Sequence, residues 1–209
     1  SQRGSPTALT DIKGRVLANG WHYGLKERVS LVIHSSLLQT IAQHLGRYMV
    51  FSKSTLSQDS NEMDITIEHI SQSIVLDPMG WKLIPRSSVN AHWPKLTLNA
   101  RYPLVTERTS GSFLPQMLSL TDHGAVSFTK GCYLGQEIVA RAQHRGSVKR
   151  HLAAYSFNSG SVEVGEKLVA EKGGSGVVVA THQNAVLAVA SGNVESFLSE
   201  RGASLTRVE

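Results

Sequence analysis

Lys130-Gly131-Cys132-Tyr133-Leu134-Gly135-Gln136-Glu137 holds the only cysteine of the chain and opens the best helical segment of its C-terminal half. From Leu134 the apolar residues Leu134, Ile138, Val139 and Ala142 recur at spacings that line one side of a helix, so that side is expected to face a core. Glu137, Arg141 and Arg145 share the opposite side at i, i+4 steps, an order worth about 0.2–0.5 kcal/mol per exposed pair. Gly146 is the expected stop. Cys132 then lies in a glycine-flanked turn just ahead of a helix N-terminus, next to Lys130, an electropositive setting that suits a functional thiol. The competing reading is a small cysteine packed where the turn meets the core, which composition alone favours. Gly131 and Gly135 weigh the other way, because glycines on both sides of a thiol suggest close backbone approach or positive φ.

Outward from this stretch, the 209 residues suffice for one large or two small domains. A lone cysteine excludes an internal disulfide and any cysteine-built zinc or iron-sulfur site within one copy, and it makes a reducing compartment the natural expectation. No apolar run reaches the length of a membrane span, and the N-terminal residues lack a signal-peptide core. The net charge of +5 is compatible with anionic partners such as RNA or a polyglutamylated cofactor. The nine histidines form no metal-binding spacing, so no metal site is expected.

Taken in order, residues 1–6 read as a loop, and residues 7–11 and 15–23 as a hairpin around Lys13-Gly14. Residues 29–33 form an apolar strand, Ser35 and Ser36 are candidate N-caps, and Leu37, Leu38, Ile41, Ala42 and Leu45 stripe a helix ending near Gly46. With residues 53–56 as the next strand, this makes a strand-helix-strand unit. Ile65, Ile67 and His69 alternate with polar neighbours as in a half-buried strand. Residues 74–76 and 81–84 pair around the Asp77-Pro78-Met79-Gly80 turn. Trp93, Leu96 and Ala100 share a helical face. Beyond residue 147 the character changes: residues 151–157, 167–170, 176–180, 185–190 and 205–208 are short strands between Gly, Ser and Asn turns, the pattern of a small barrel. The fold class is therefore α+β, divided into residues 1–146 and a C-terminal β-barrel at 147–209. Arg141, His144, Arg145, Lys149, Arg150 and His151 make a basic run, either a solvated face or a surface for tRNA phosphates or a glutamate tail.

The 130–137 stretch resembles the K-G-C-[FY]-x-G-Q-E signature of the YgfZ family, relatives of the glycine-cleavage T-protein aminomethyltransferases. In it Lys130, Gly131, Cys132, Tyr133, Gly135, Gln136 and Glu137 match. Residues 112–116, 139–142, Arg145-Gly146, Lys149-Arg150, 13–15 and 48–53 are similar to the family as well. The resemblance implies a T-protein-like folate-binding fold whose N-terminal part is absent here and whose middle is short. It also implies folate, in its tetrahydrofolate form, as cofactor, and Trp93 as the residue that stacks on the pterin. Asn99 and Arg101 depart from the Glu-Ala-Gly that often follows this tryptophan. The function implied is that of an accessory protein for assembly or repair of iron-sulfur enzymes, including enzymes that modify tRNA. By ligand count a transient iron-sulfur cluster would be shared with a partner, either a second copy or such a client, and without a cluster the thiol would act by redox or persulfide chemistry, with tRNA engaged indirectly. The setting expected is a monomer in the bacterial cytoplasm, or the mitochondrial matrix of a eukaryote. A folate-dependent aminomethyl transferase and an RNA-binding accessory module are the alternatives.

Overall fold

The computed structural model describes residues 2–25, 27–59, 62–68, 70, 73–86, 93–146 and 148–209. A six-stranded mixed sheet is assembled from β1 (Arg3–Thr10), β2 (Val16–Leu25), β3 (Arg28–Ile33), β4 (Met63–Thr66), β5 (Ile74–Leu76) and β6 (Trp81–Pro85), in the order β3-β2-β1-β5-β6-β4. Helices α1 (Leu38–Met49), α2 (Trp93–Asn99) and α3 (Gln136–Arg145) accompany it. The remaining strands, β7 (Arg150–Phe157), β8 (Lys167–Val169), β9 (Ser175–His182), β10 (Ala185–Ser191), β11 (Ser196–Ser199) and β12 (Ser204–Val208), close into a barrel in the order β10-β7-β12-β11-β8-β9. The α+β class with its C-terminal barrel is thus observed. Among the described residues, no helix is long and apolar enough to cross a membrane.

The β1–β2 hairpin forms as expected, but residues 3–6 are not a loop. They extend β1, because β5 runs parallel to it with Arg3 opposite Val75 and Gly4 opposite Leu76, and Arg3 forms an ion pair with Asp77. Trp21 lies at the centre of the core, fully buried, with Tyr102 at 5.0 Å and Trp81 at 5.9 Å between ring centroids. The polar ends of that cluster are satisfied: Trp21 Nε1 donates to the Asp77 carbonyl at 2.9 Å and the Tyr102 hydroxyl to the Gly20 carbonyl at 2.8 Å. Asn19, also fully buried, bridges the Pro103 carbonyl and the Val105 amide. These bonds are what allow polar groups in so apolar a place.

Several expectations are corrected. Residues 53–56 are exposed coil, so the strand that follows α1 is β4, at the opposite sheet edge from β3. Neither Ser35 nor Ser36 caps α1. His34 caps the short 3-10 turn Ser35–Leu37 by accepting from the Ser36 amide, and α1 follows directly. Helix α1 also runs three residues past Gly46, and Ala42 on its expected apolar face is exposed. In β4, Asp64, Ile65 and Thr66 are all buried while Ile67 is exposed, so the simple alternation does not hold; His69 lies outside the described residues. The barrel contains one strand the pattern does not reveal, β11, whose single large apolar inward residue is Phe197.

Two cores result. The barrel interior is filled by residues such as Tyr155, Phe157, Leu168, Val186 and Phe197. The other core lies between the sheet, α1, α2 and the outer face of β9 and β10, whose Val179, Leu187 and Val189 join it. Along β10, residues from Val186 to Ala190 are buried without a break because successive side chains enter opposite cores.

Candidate functional site

The signature stretch is seated on the turn of the β1–β2 hairpin. That turn is closed by Asp11, whose Oδ1 accepts from the amides of Lys13 and Arg15, each at 2.8 Å. Its last residue, Gly14, has φ +71°, and Gly135 facing it has φ +76°. A Cβ on Gly135 would stand 2.4 Å from the Asp11 carbonyl oxygen and 2.4 Å from the Gly14 nitrogen, a distance no side chain tolerates. Only glycine meets both the left-handed backbone and this approach. Beside it the Thr10 hydroxyl donates to the Leu134 carbonyl at 2.6 Å, joining residues 124 apart in sequence. Gly131 is different: its φ is not positive and a Cβ there would meet nothing within 4 Å, so the close approach expected on both sides of the thiol exists only at Gly135.

From this seat α3 starts with Gly135 as N-cap and stops at Gly146. Val139 and Ala142 are buried, and the Gln116 side-chain amide donates to the Val139 carbonyl at 2.8 Å, fixing the helix to the 3-10 turn Pro115–Leu118. Ile138, expected on the buried side, is 38% exposed. Glu137 makes no ion pair with Arg141, so the expected i, i+4 bridge is absent. Glu137 in the first turn and His144 and Arg145 in the last still complement the helix dipole.

Cys132 is a free, exposed thiol. Its setting excludes the buried, packing cysteine. On either side of it, Lys130 and Tyr133 line a cavity of about 600 Å³ together with Leu9 and Thr10 of β1, Leu31 of β3, His44 and Tyr48 of α1, and His22 of β2. Lys130 Nζ stands 5.1 Å from the centroid of the Tyr133 ring, within cation–π range. The Tyr133 hydroxyl is buried without a hydrogen-bond partner, and burial pushes its pKa up. The cavity walls are largely apolar, with Lys130, His22, His44, Tyr48, Thr7, Thr10 and Ser127 as polar points.

The other candidates lie elsewhere. Trp93 opens α2, partly buried against the sheet-side core, with its ring edge-on to His34 at 5.5 Å; it does not line the cavity. Burial lowers the His34 pKa, and its ring Nδ1 is 2.8 Å from the Ser36 hydroxyl. Arg141, Arg145, Lys149 and Arg150 are exposed, with Arg150 donating to the Ser175 hydroxyl at 3.3 Å. Among the described residues, no group of three or more His, Cys, Asp or Glu could hold a metal ion. The residues that sequence reasoning missed are Thr10, His22, Leu31 and His44. Thr10, His22 and Leu31 reach the signature through pairing of β1, β2 and β3, and His44 through α1; no local motif announces either.

No protein-family model matches the chain. Among curated proteins, it is 49% identical over 67 residues to the tRNA-modifying protein YgfZ of Colwellia psychrerythraea, covering 32% of this chain and 20% of the relative. It is 44% identical over 82 residues to that of Klebsiella pneumoniae, covering 39% and 25%. A longer match, 27% identical over 195 residues, joins it to that of Serratia proteamaculans and covers 73% of this chain and 59% of the relative. The chain thus spans between about one fifth and three fifths of the relatives' length in these matches. By these matches, and by the signature turn that presents its one thiol, the chain is similar to the YgfZ proteins.

Proposed function

We propose that the chain serves tRNA modification as a folate-binding accessory protein for iron-sulfur enzymes, with Cys132 as its functional thiol. The observation that carries this reading is the placement of the single, exposed thiol between two residues that line a large cavity. The name of the relatives supplies the tRNA-modifying role.

The cavity fits a folate in size and chemistry. About 600 Å³ lies within the range of roughly 300–1,000 Å³ usual for small-molecule sites. Its apolar walls suit a planar ring, and Lys130 offers an anchor for a carboxylate. Folate would supply one-carbon chemistry there. The residues do not fit a cluster held by this chain alone, since a cluster takes about four ligands and there is one thiolate to give. Any cluster engaged at Cys132 is shared with a client protein.

Complementation of a bacterial strain lacking its own YgfZ tests the reading, with methylthiolated tRNA as the measure. Wild type restores the modification and Cys132→Ala does not; equal restoration by both overturns it. Tetrahydrofolate titration followed by tryptophan fluorescence tests the ligand. His44→Ala weakens binding if the cavity is the seat, and Trp93→Ala weakens it if the pterin stacks on that ring. Trp21→Ala and Trp81→Ala are the controls for unfolding, because both rings lie in the core. A second reading, an RNA-binding module, draws on the exposed Arg141, Arg145, Lys149 and Arg150. It requires tRNA binding that falls steeply with salt and ignores folate.

A further inference from the structure

We infer that the 11–14 hairpin turn, with Thr10, is the positioning platform of the Cys132 turn: it sets where the thiol stands relative to the cavity, whose wall Thr10 also joins. The inference rests on the reading of Cys132 as the functional thiol.

Three contacts argue for it: two join hairpin to signature, and one joins the hairpin to the segment ahead of the signature. The first is the backbone approach of Gly14 and Gly135, two left-handed glycines packed so closely that a Cβ on either collides: one on Gly14 would lie 2.9 Å from Val139 Cγ2 and 3.1 Å from the Gly135 carbonyl oxygen. The second is the Thr10 hydroxyl, which holds the carbonyl of Leu134, two residues past the thiol. The third lies behind the turn, where the Arg15 guanidinium donates to the Ser112 carbonyl and the Val16 amide to the Phe113 carbonyl at 2.8 Å, fixing the segment that leads into the signature. Asp11 keeps the platform in shape through its two amide bonds. On its other side, among the described residues, the hydrogen bonds of the signature turn are local: the Lys130 amide on the Ser127 hydroxyl at 3.1 Å, the Tyr133 amide on the Gln136 side chain at 3.4 Å and the Gln136 amide on the Tyr133 carbonyl at 3.2 Å. The direction of the Cys132 turn is therefore set by the hairpin. Thr10 is a positioning residue, and so is Asp11 one step further back.

Because Cys132 is the only cysteine, its alkylation by iodoacetamide reads one site, and the rate reports the surroundings of the sulfur rather than global stability. The rate is measured on the full chain for wild type, Thr10→Val, Thr10→Ser and Asp11→Ala, and for wild type unfolded in urea, with circular dichroism to confirm folding. Thr10→Val and Asp11→Ala are expected to move the rate about threefold or more toward the unfolded value, while Thr10→Ser, which keeps the hydroxyl, stays with wild type. Folded variants that both alkylate at the wild-type rate overturn the inference, as does a wild-type rate equal to that of the unfolded chain. Should one variant fail to fold, the other decides; failure of both makes the turn a stability element and overturns the positioning role too. Cys132→Ser that still restores tRNA modification would remove the functional reading and leave the alkylation result standing, so the two failures are read separately.

Discussion

The barrel and the sheet side of the molecule are held together over different sequence distances. Every residue of the barrel core comes from Ala153 to Leu205; β8–β9, β9–β10 and β11–β12 pair as sequence neighbours, while β7 closes the barrel against β10 and β12 and β8 pairs with β11, all within that span. The sheet-side core reaches from Val16 to Val189 and depends on parallel pairing of β1 with β5, on Asn19 bridging to residues 103 and 105, and on the hairpin that meets the signature turn. One element belongs to both. In β10, Val186, Ala188 and Ala190 fill the barrel while Leu187 and Val189 fill the other core, so a strand made by local rules becomes the wall against which the long-range part condenses.

If that wall is shared, a cut on one face must be felt on both sides, and this gives the largest expected effect. Leu187→Ala removes a fully buried side chain and should cost about 2–5 kcal/mol. Urea unfolding is followed by tryptophan fluorescence, which reports the sheet side because Trp21 and Trp81 lie in that core and Trp93 packs on it, and by far-ultraviolet circular dichroism, which reports both. Both curves should shift together. A fluorescence transition that moves alone, leaving a later barrel transition in the dichroism, would break the comparison by showing independent units.

A smaller effect sharpens the contrast at one point. Gly135→Ala should cost about 1–2 kcal/mol from its left-handed backbone alone, and more because the added Cβ meets fixed backbone of the hairpin turn rather than a flexible side chain. Gly131→Ala, four residues away in the same signature, should stay within about 0.5 kcal/mol. Thermal midpoints of the two variants test this; equal losses would mean that the hairpin contact is not what the second glycine serves.

The same division governs how much can be read from the sequence. Barrel strands announce themselves because alternation and turn residues are local, and five of the six fall where the pattern puts them; β11 escapes because its four residues carry one large inward side chain, Phe197. The helix after the signature is legible from Val139 and Ala142, and Gly135 is legible as a residue needing room. Its partner Gly14 is legible only as a hairpin glycine, since nothing near it in sequence indicates what it will touch. Residues 3–6 look like a loop because polar and breaking residues dominate, yet the pairing with β5 makes them strand. Conversely, residues 53–56 have a strand-like composition and no partner to pair with. The cavity is the least legible feature, for it is walled by three strands, a helix and the signature at once.

The smallest effect lies inside the barrel region and depends on pH. The Glu166 side chain is 4% exposed, and burial alone would raise its pKa; the backbone amides of Glu163 and Arg201, which it accepts at 3.0 Å and 2.9 Å, with the Ser199 hydroxyl and the Arg201 charge, instead hold it below its ordinary value of 4.5. A carboxyl whose folded pKa is depressed contributes stability above its unfolded pKa and loses that contribution as pH falls through the folded one. Glu166→Gln keeps the size and one acceptor but not the charge, so near neutral pH it should be less stable than wild type by on the order of 1 kcal/mol. Below the ordinary carboxylate range the wild-type side chain takes up a proton and the difference should close. Thermal midpoints of both proteins, measured from neutral pH down to about pH 3, check the sign. A gap that stays constant over that interval would show that the carboxylate charge plays no part in holding the turn between β7 and β8, leaving shape as the only contribution of Glu166.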